Sequence, residues 1–528
     1  MSISIDIPQE FQFSCSSDFT FLHTASEENQ SIKYSDIALY SQKLPNSLEA
    51  HQDEPHTYIL QSNNSAELCC LVAGLFLSGI PFCIVDPTWT NSQVREATQE
   101  IEFTNFLNGR DISALHTQWL SLIPSQQQDT QELSIIVNKT PFAYLFTSGS
   151  SSRPKRIPLR HSQLWAAYQA TQAHVQLSPN HSWGLCLPLH HIGALSIVLK
   201  SLLSHSSISL SSSSDVQSWN SWLNGWHQCR VISMVPTQLH KWLEHNRTEN
   251  ISSLVSEVFR FIILGGGPTN APDIDEAGNL GWPILLSYGM TETFAHICSI
   301  PASELPKPLK EPLPVGRMHP AQSIELRYEK DTNDPIIWLM GTQIFSPEPS
   351  QHRQQQSFDE QGWFCTGDIG KVDKKGLLYI QARRLDRIVS GGENIAVDWV
   401  IECINEHPSI HDCAIIGVAD PKWGQKVVAF IVPISTVSNS VTTPVVTSNS
   451  VSAQDVGIQK ELQSTLLLDK EELQTKLTEE LLDQCRHSSL PASHLPKEFL
   501  YLNSLPRTSL GKLNVPSLQS LYALTRGK

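Results

Sequence analysis

The sequence predicts an α/β fold. A large N-terminal domain carries parallel-sheet subdomains and a β-rich subdomain, and a small α+β C-terminal domain follows. Three observations carry this expectation. Up to about residue 300, short apolar runs ending in Gly, Pro or polar residues alternate with helical patterns, which predicts βαβ units and substantially parallel sheet. After about residue 310, strand patterns follow one another without helices between them. From residue 382 onward, a helical pattern and two long strand patterns fit a compact separate unit.

Taken in order, the opening MSISIDIPQEFQF has no basic region followed by an apolar run, so no signal peptide is expected. The stretch LCCLVAGLFLSGIPFCIV (68–85) is interrupted by Gly74, Ser78, Gly79 and Pro81. It reads as helix, turn and strand, and no transmembrane segment is expected. TPFAYL (140–145) reads as a buried strand running into a loop, FTSGSSSRPKR (146–156). VISMVP (231–236), FRFIILGGG (259–267) and WPILLSYG (282–289) read as strands, with TQLHKWLEHN (237–246) as a helix between the first two. SIELRY, PIIWLM and GLLYIQ make the β-rich part. AVDWVIECINEHPSI has helical spacing, and CAIIGVAD and KVVAFIVPI read as paired strands.

The uncharged run TVSNSVTTPVVTSNSVS opens an expected flexible insertion at about 436–470. In KEELQTKLTEELLDQC, Leu473, Leu477 and Leu481 recur four apart, the apolar stripe of an amphipathic helix that faces its own domain. The expected domains are 1–381 and 382–528.

Composition narrows the function. The chain has 528 residues with 37 Lys and Arg against 52 Asp and Glu, a net charge of −15. Broad contact with a nucleic-acid backbone needs clustered cations, so no nucleic-acid partner is expected and any phosphate ligand is small and met locally. The eleven cysteines include no CxxC pair, which reads as reduced thiols in a cytoplasmic protein. Oligomeric state is not legible.

The loop 146–156 places hydroxyls, a glycine and cations at the end of a strand. Backbone N–H groups, hydroxyls and a lysine can cradle phosphate oxygens without a basic surface. The order is not that of a Walker loop. By itself the loop is equally a solvated turn. Four further segments change the balance: LGGGP (264–268), SYGMTET (287–293), GWFCTGDIG (362–370) and PRTSLGK (506–512). They bring a glycine-rich strand end, an aromatic ring beside a hydroxyl and a carboxylate, an acid in a turn, and a late lysine.

All five in this order resemble the adenylate-forming superfamily of acyl-CoA synthetases, nonribosomal-peptide adenylation domains and luciferases, over about residues 55–520. The resemblance implies an enzyme that joins a small-molecule carboxylic acid to ATP as an acyl-adenylate, then passes the acyl group to a thiol, usually coenzyme A. It implies that Thr147, Ser148, Gly149, Ser150, Ser151 and Lys155 hold phosphate, with Thr147 and Lys155 acting in catalysis. Gly265, Gly266 and Gly267 would line adenine, Tyr288 would stack on it beside Gly289, and Thr291 would touch phosphate. Glu292, with Thr147, would hold Mg²⁺; Asp368 and Arg383 would hold the ribose; Lys512 would bridge the carboxylate and the α-phosphate. Departures from the family pattern fall at Ser152 and Arg156, where glycine is usual, and at Ala382 and Leu385 in the hinge from which the C-terminal domain is expected to move. Arg156 reads as a further cation near the phosphates or as an exposed side chain.

For the acid, LCLPLHHIGALSIVLKSLL (185–203) resembles the histidine motif of the o-succinylbenzoate–CoA ligase branch. His191 matches that histidine and Lys200 falls where a cation would suit a second carboxylate. Outside that motif, Lys200 reads as a solvated helix lysine and His296 as a core histidine. The branch implies a role in menaquinone or phylloquinone synthesis. Other acyl- or aryl-CoA ligases, freestanding adenylation domains and a non-catalytic nucleotide-binding relative are the alternatives.

Overall fold

The computed structural model describes residues 10–15, 19–24, 31–48, 57–99, 101, 103–121, 131–136, 140–147, 155–211, 229–249, 252–267, 269–328, 335–348, 351, 357–383, 388–390, 393–395, 397–420, 424–434, 471–488, 490, 494–507 and 513–526. The expected insertion at 436–470, Ser148–Ser152, Leu385 and Lys512 lie outside them. The fold is the expected α/β class, and the chain divides into two compact units. The first comprises Met1–Tyr328, Pro335–Thr366 and Gly370–Gln381; the second comprises Glu329–Asp334, Gly367–Ile369 and Ala382–Lys528.

The largest sheet has thirteen strands among the described residues. Its parallel part runs Thr20–Thr24, Ser207–Leu210, Ser182–Leu185, Cys229–Met234, Phe261–Leu264, Ile284–Met290. Helices connect these strands, as the alternation of periods requires. At Ile284–Met290 the pairing turns antiparallel, through Ala295–Pro301 to Pro314–Met318. The sheet then continues into the β-rich part, Leu378–Arg383, Phe364–Val372, Pro335–Gly341 and Gln322–Tyr328.

A second, five-stranded sheet runs Phe103–Asn108, Thr57–Gln61, Phe82–Ile84, Ala143–Thr147, Lys155–Leu159. The helix Ala66–Ser78 precedes one of its strands. Ser65 caps it, its Oγ accepting from the Leu68 N–H at 3.1 Å, and Gly79 ends it at φ +70°. The helix is buried along nearly its whole length. This is the helix, turn and strand read from its sequence. Among the described residues no helix is long and apolar enough to cross a membrane.

In the second unit, Ile410–Asp420 and Gly424–Pro433 pair antiparallel, and Glu498–Tyr501 joins the latter in parallel. Alternation sends Cys413, Ile415, Val427, Ala429 and Ile431 to one face, where Leu477, Leu481 and Cys485 of the helix Glu471–His487 pack. Ala414, Ile416, Val428, Phe430 and Val432 go to the other, against Leu518, Leu521 and Tyr522 of the helix Val515–Arg526. The sheet is thus covered on both faces, which is why its strands read as unbroken apolar runs.

Candidate active site

The loop 146–156 is the connection of an antiparallel hairpin. Ala143–Thr147 pairs with Lys155–Leu159, and the closing pair is Thr147 with Lys155. The two end residues assigned to phosphate therefore share one register position at the hairpin mouth. Residues 148–154 between them are outside the described set. Arg156 corrects the sequence reading. It is 6% exposed and its Nη2 lies 3.0 Å from a Glu348 carboxylate oxygen. The Tyr144 hydroxyl donates to the other oxygen of that carboxylate at 3.0 Å. Arg156 is therefore not an exposed cation.

On the main sheet, Phe261–Leu264 and Ile284–Met290 are parallel neighbours, so Gly265–Gly267 and Tyr288–Met290 come to the same edge. Carboxyl ends of adjacent parallel strands are where ligands sit in such sheets. Gly265 faces the neighbouring backbone so closely that a Cβ would stand 2.6 Å from Ser287 Oγ. That hydroxyl in turn donates to the Leu264 carbonyl at 3.0 Å. Gly266 takes φ +81°, a conformation that costs a residue with Cβ. Tyr288 is 9% exposed and packs with Ile297, Cys298, Ile337, Leu339 and Leu378.

After Gly289 the chain makes one turn of 3₁₀ helix, Thr291–Thr293. A Cβ on Gly289 would fall 1.8 Å from the Ala295 carbonyl oxygen, so only glycine fits. Thr293 Oγ1 accepts from the Met290 N–H at 2.9 Å and donates to the Ala295 carbonyl at 2.7 Å, closing the turn. The turn presents Thr291 and Glu292 half-buried, and the Glu292 carbonyl is held by the Phe345 N–H at 2.8 Å. Asp368 is 2% exposed in Phe364–Val372, and Arg383 ends the adjacent strand Leu378–Arg383.

His191 stands at the N-terminus of the helix Ile192–Ser204. Its loop is fixed by Asn64, whose side chain donates to the Leu187 carbonyl at 2.7 Å and accepts from the Leu189 N–H at 2.8 Å. His190 stacks on His191 at 4.2 Å and lies 3.7 Å from Asp86. Burial lowers the His190 pKa, and Asp86 opposes the shift.

Lys200, on the same helix, is fully buried, and among the described residues its Nζ has no hydrogen-bond partner. It is not a solvated helix lysine, and burial pushes its pKa down to about 7. His296, held by Thr171 Oγ1 at 3.4 Å, and His319, held by Ser299 Oγ at 3.2 Å, meet edge to face at 5.1 Å. Burial lowers both pKa values, and Lys200 and His174 lower them further. A side-chain hydrogen bond with Gln343 opposes the shift at His319. Lys200 was the one member of this cluster that a sequence motif assigned to the acid. His296 was left to the core, and His319 and Gln343 sit in stretches with no motif.

The AMP-binding enzyme family model matches residues 12–345, and the model of the AMP-binding enzyme C-terminal domain matches residues 402–512. A 2-succinylbenzoate–CoA ligase of Bacillus cereus is 31% identical over 295 residues, which is 54% of this chain and 59% of that protein. The same enzyme from a second Bacillus cereus strain is 27% identical over 378 residues, 70% of this chain and 76% of that protein. The o-succinylbenzoate coenzyme A synthetase of Bacillus subtilis, solved with the acyl-adenylate intermediate, superposes with a TM-score of 0.71 at 22% identity, covering 94% of each chain. ATP-bound MatB of Rhodopseudomonas palustris superposes with a TM-score of 0.73 at 19% identity, covering 98% of this chain and 97% of its own. The last two define the fold and do not separate one acid from another.

Proposed function

The chain belongs to the AMP-binding enzyme family, and from that premise we propose that it is an ATP-dependent acid–CoA ligase whose acid is 2-succinylbenzoate. The acid attacks the α-phosphate of ATP, giving acyl-adenylate and pyrophosphate; the coenzyme A thiol then displaces AMP. The enzyme names printed for the two Bacillus cereus relatives support the acid.

The observation that carries the acid class is Lys200. An unpartnered ammonium at full burial is costly, and a carboxylate arriving beside it supplies both charge and hydrogen bond. An acid with two carboxylates provides one for Lys200 and one for reaction. His191, at the mouth of the same helix, is assigned to the aromatic end of the acid.

Thr147 and Lys155 close the hairpin on either side of Ser148, Gly149, Ser150 and Ser151, and this loop is assigned to the β- and γ-phosphates. Gly265, Gly266, Gly267, Tyr288 and Gly289 are assigned to adenine, Thr291 to phosphate, and Asp368 with Arg383 to the ribose hydroxyls. Glu292 and Thr147 offer hard oxygen donors of the kind Mg²⁺ takes. Mg²⁺ there supplies charge neutralisation on the phosphates. Lys512 is assigned to orienting the carboxylate against the α-phosphate, an electrostatic role. In keeping with its family, the enzyme is assigned to the cytoplasm.

The test is product analysis. Protein incubated with 2-succinylbenzoate, ATP, Mg²⁺ and coenzyme A should yield AMP and the mono-CoA thioester in equal amounts. ADP in place of AMP, or thioester without AMP, contradicts the mechanism; products formed only with another acid contradict the substrate.

A further inference from the structure

We propose that Glu348 and Arg156 are positioning residues: their ion pair fixes the phosphate hairpin to a strap whose other end holds the Thr291–Glu292 turn. The proposal rests on the nucleotide reading of both elements.

The hairpin and the turn belong to different sheets and share no strand. In-line transfer at phosphorus demands that groups on the two stay in fixed register, and a displacement of about 1 Å costs as much as 10²-fold in rate. Residues 343–348 and 351 bridge them. At the near end Gln343, fully buried, donates its amide to the carbonyls of Thr293 and His296, both at 3.1 Å. The Phe345 N–H donates to the Glu292 carbonyl at 2.8 Å. Midway, the Arg160 guanidinium donates to the Ser346 carbonyl, and the Gln163 amide donates to the Gln343 carbonyl at 3.3 Å.

At the far end Glu348 receives Arg156 and Tyr144, each at 3.0 Å, on separate carboxylate oxygens. The Arg156 guanidinium lies 5.3 Å from the centre of the Tyr144 ring. Gln351 locks the arrangement. Its amide donates to the Arg156 carbonyl at 2.9 Å, and its oxygen accepts from the Glu348 N–H at 2.9 Å.

Tyr144 and Arg156 lie on the two strands of the hairpin, so Glu348 grips both sides of the loop at once. Arg156 adjoins Lys155, and a glycine in its place removes the guanidinium that Glu348 pairs with. Buried pairs of this kind define geometry more than they add stability. The chain therefore spends an arginine, at a position where the family favours glycine, on holding the loop rather than on touching phosphate.

The experiment compares full-length E348Q, R156G and the double variant by acid-dependent ATP–pyrophosphate exchange, with amide hydrogen exchange on the same proteins. Glu348→Gln keeps the shape of the side chain and removes its charge. Each single variant should raise the KM for ATP about tenfold and leave the KM for the acid unchanged. The double should lose less than the sum of the two singles, because both delete the Arg156–Glu348 pair. Amide exchange at Thr147, Lys155 and Phe345 should rise in E348Q while thermal unfolding stays near that of the parent. Unchanged KM for ATP, additive losses, or an equal rise in the KM for the acid overturns the proposal. A parent protein without exchange activity indicts the nucleotide reading instead. Hydrogen exchange then still decides the positioning claim, and unaltered protection in E348Q contradicts it.

Discussion

Thr147 and Lys155 face one another as the last register pair of an antiparallel hairpin. The two ends of the loop proposed for phosphate therefore cannot drift apart without breaking the strand ladder. Lys155 enters the ladder through its backbone, and its side chain is half-exposed.

Lys155→Ala removes that side chain and leaves the ladder. Pyrophosphate exchange should fall about 10²-fold, the typical cost of losing one preorganised electrostatic contact to the transition state. Thermal unfolding should be unchanged. Steady-state kinetics beside a melting curve checks both halves.

Gly289→Ala sets a Cβ 1.8 Å from the Ala295 carbonyl. The clash is with backbone and cannot be relieved by a rotamer. Denaturant unfolding should show a loss of about 3 kcal/mol or more, placing it among the largest single-residue effects. Gly266→Ala, at φ +81° with its Cβ in ordinary contact with Val235 at 3.5 Å, should cost only about 1 kcal/mol.

Lys200 makes stability depend on pH. Its folded-state pKa of about 7 lies below the ordinary lysine value, so between the two the unfolded chain binds the extra proton. Stability should therefore rise from about pH 7 towards pH 10 in this contribution, and stay flat below pH 7 where both states are protonated. Lys200→Met should remove that slope and stabilise the free protein at neutral pH by on the order of 2 kcal/mol. It should also raise the KM for 2-succinylbenzoate about 10²-fold while sparing any monocarboxylic acid that reacts. Urea unfolding across pH, with kinetics on paired acids, reads both.

Lys512→Ala should depress adenylation far more than thioester formation from preformed acyl-adenylate. Single-turnover assays of each half-reaction separate the two. Equal losses in both would contradict its assignment to the first step.

The α/β class and its change of texture near residue 310 were legible because the alternation of periods and the glycine-ended strands are local signals. Gly265 and Gly289 could be seen as motif members, but the close approaches that forbid a side chain there are tertiary. Lys200 offered a signal that reading by motif undervalued. It stands in IGALSIVLKSLLS, a helix apolar on every face, and such helices are buried. Arg156 was misread because its partner, Glu348, comes from a distant segment with no motif of its own. The same holds for His296, His319 and Gln343, which come together only once strands and helices have packed. Pairing of Glu10–Cys15 with Gln131–Ile136 is a long-range contact of the same kind, and no pattern in either strand announces it.

The most direct measurement is ATP–pyrophosphate exchange in the absence of coenzyme A, across 2-succinylbenzoate, benzoate, fatty acids of two chain lengths and a few amino acids. The account predicts exchange that requires 2-succinylbenzoate and Mg²⁺ and proceeds without the thiol, because adenylation is complete before coenzyme A reacts. Exchange with another acid alone would contradict the substrate and the role of Lys200. Exchange with none, from protein that binds ATP, would contradict the claim that this chain forms an acyl-adenylate.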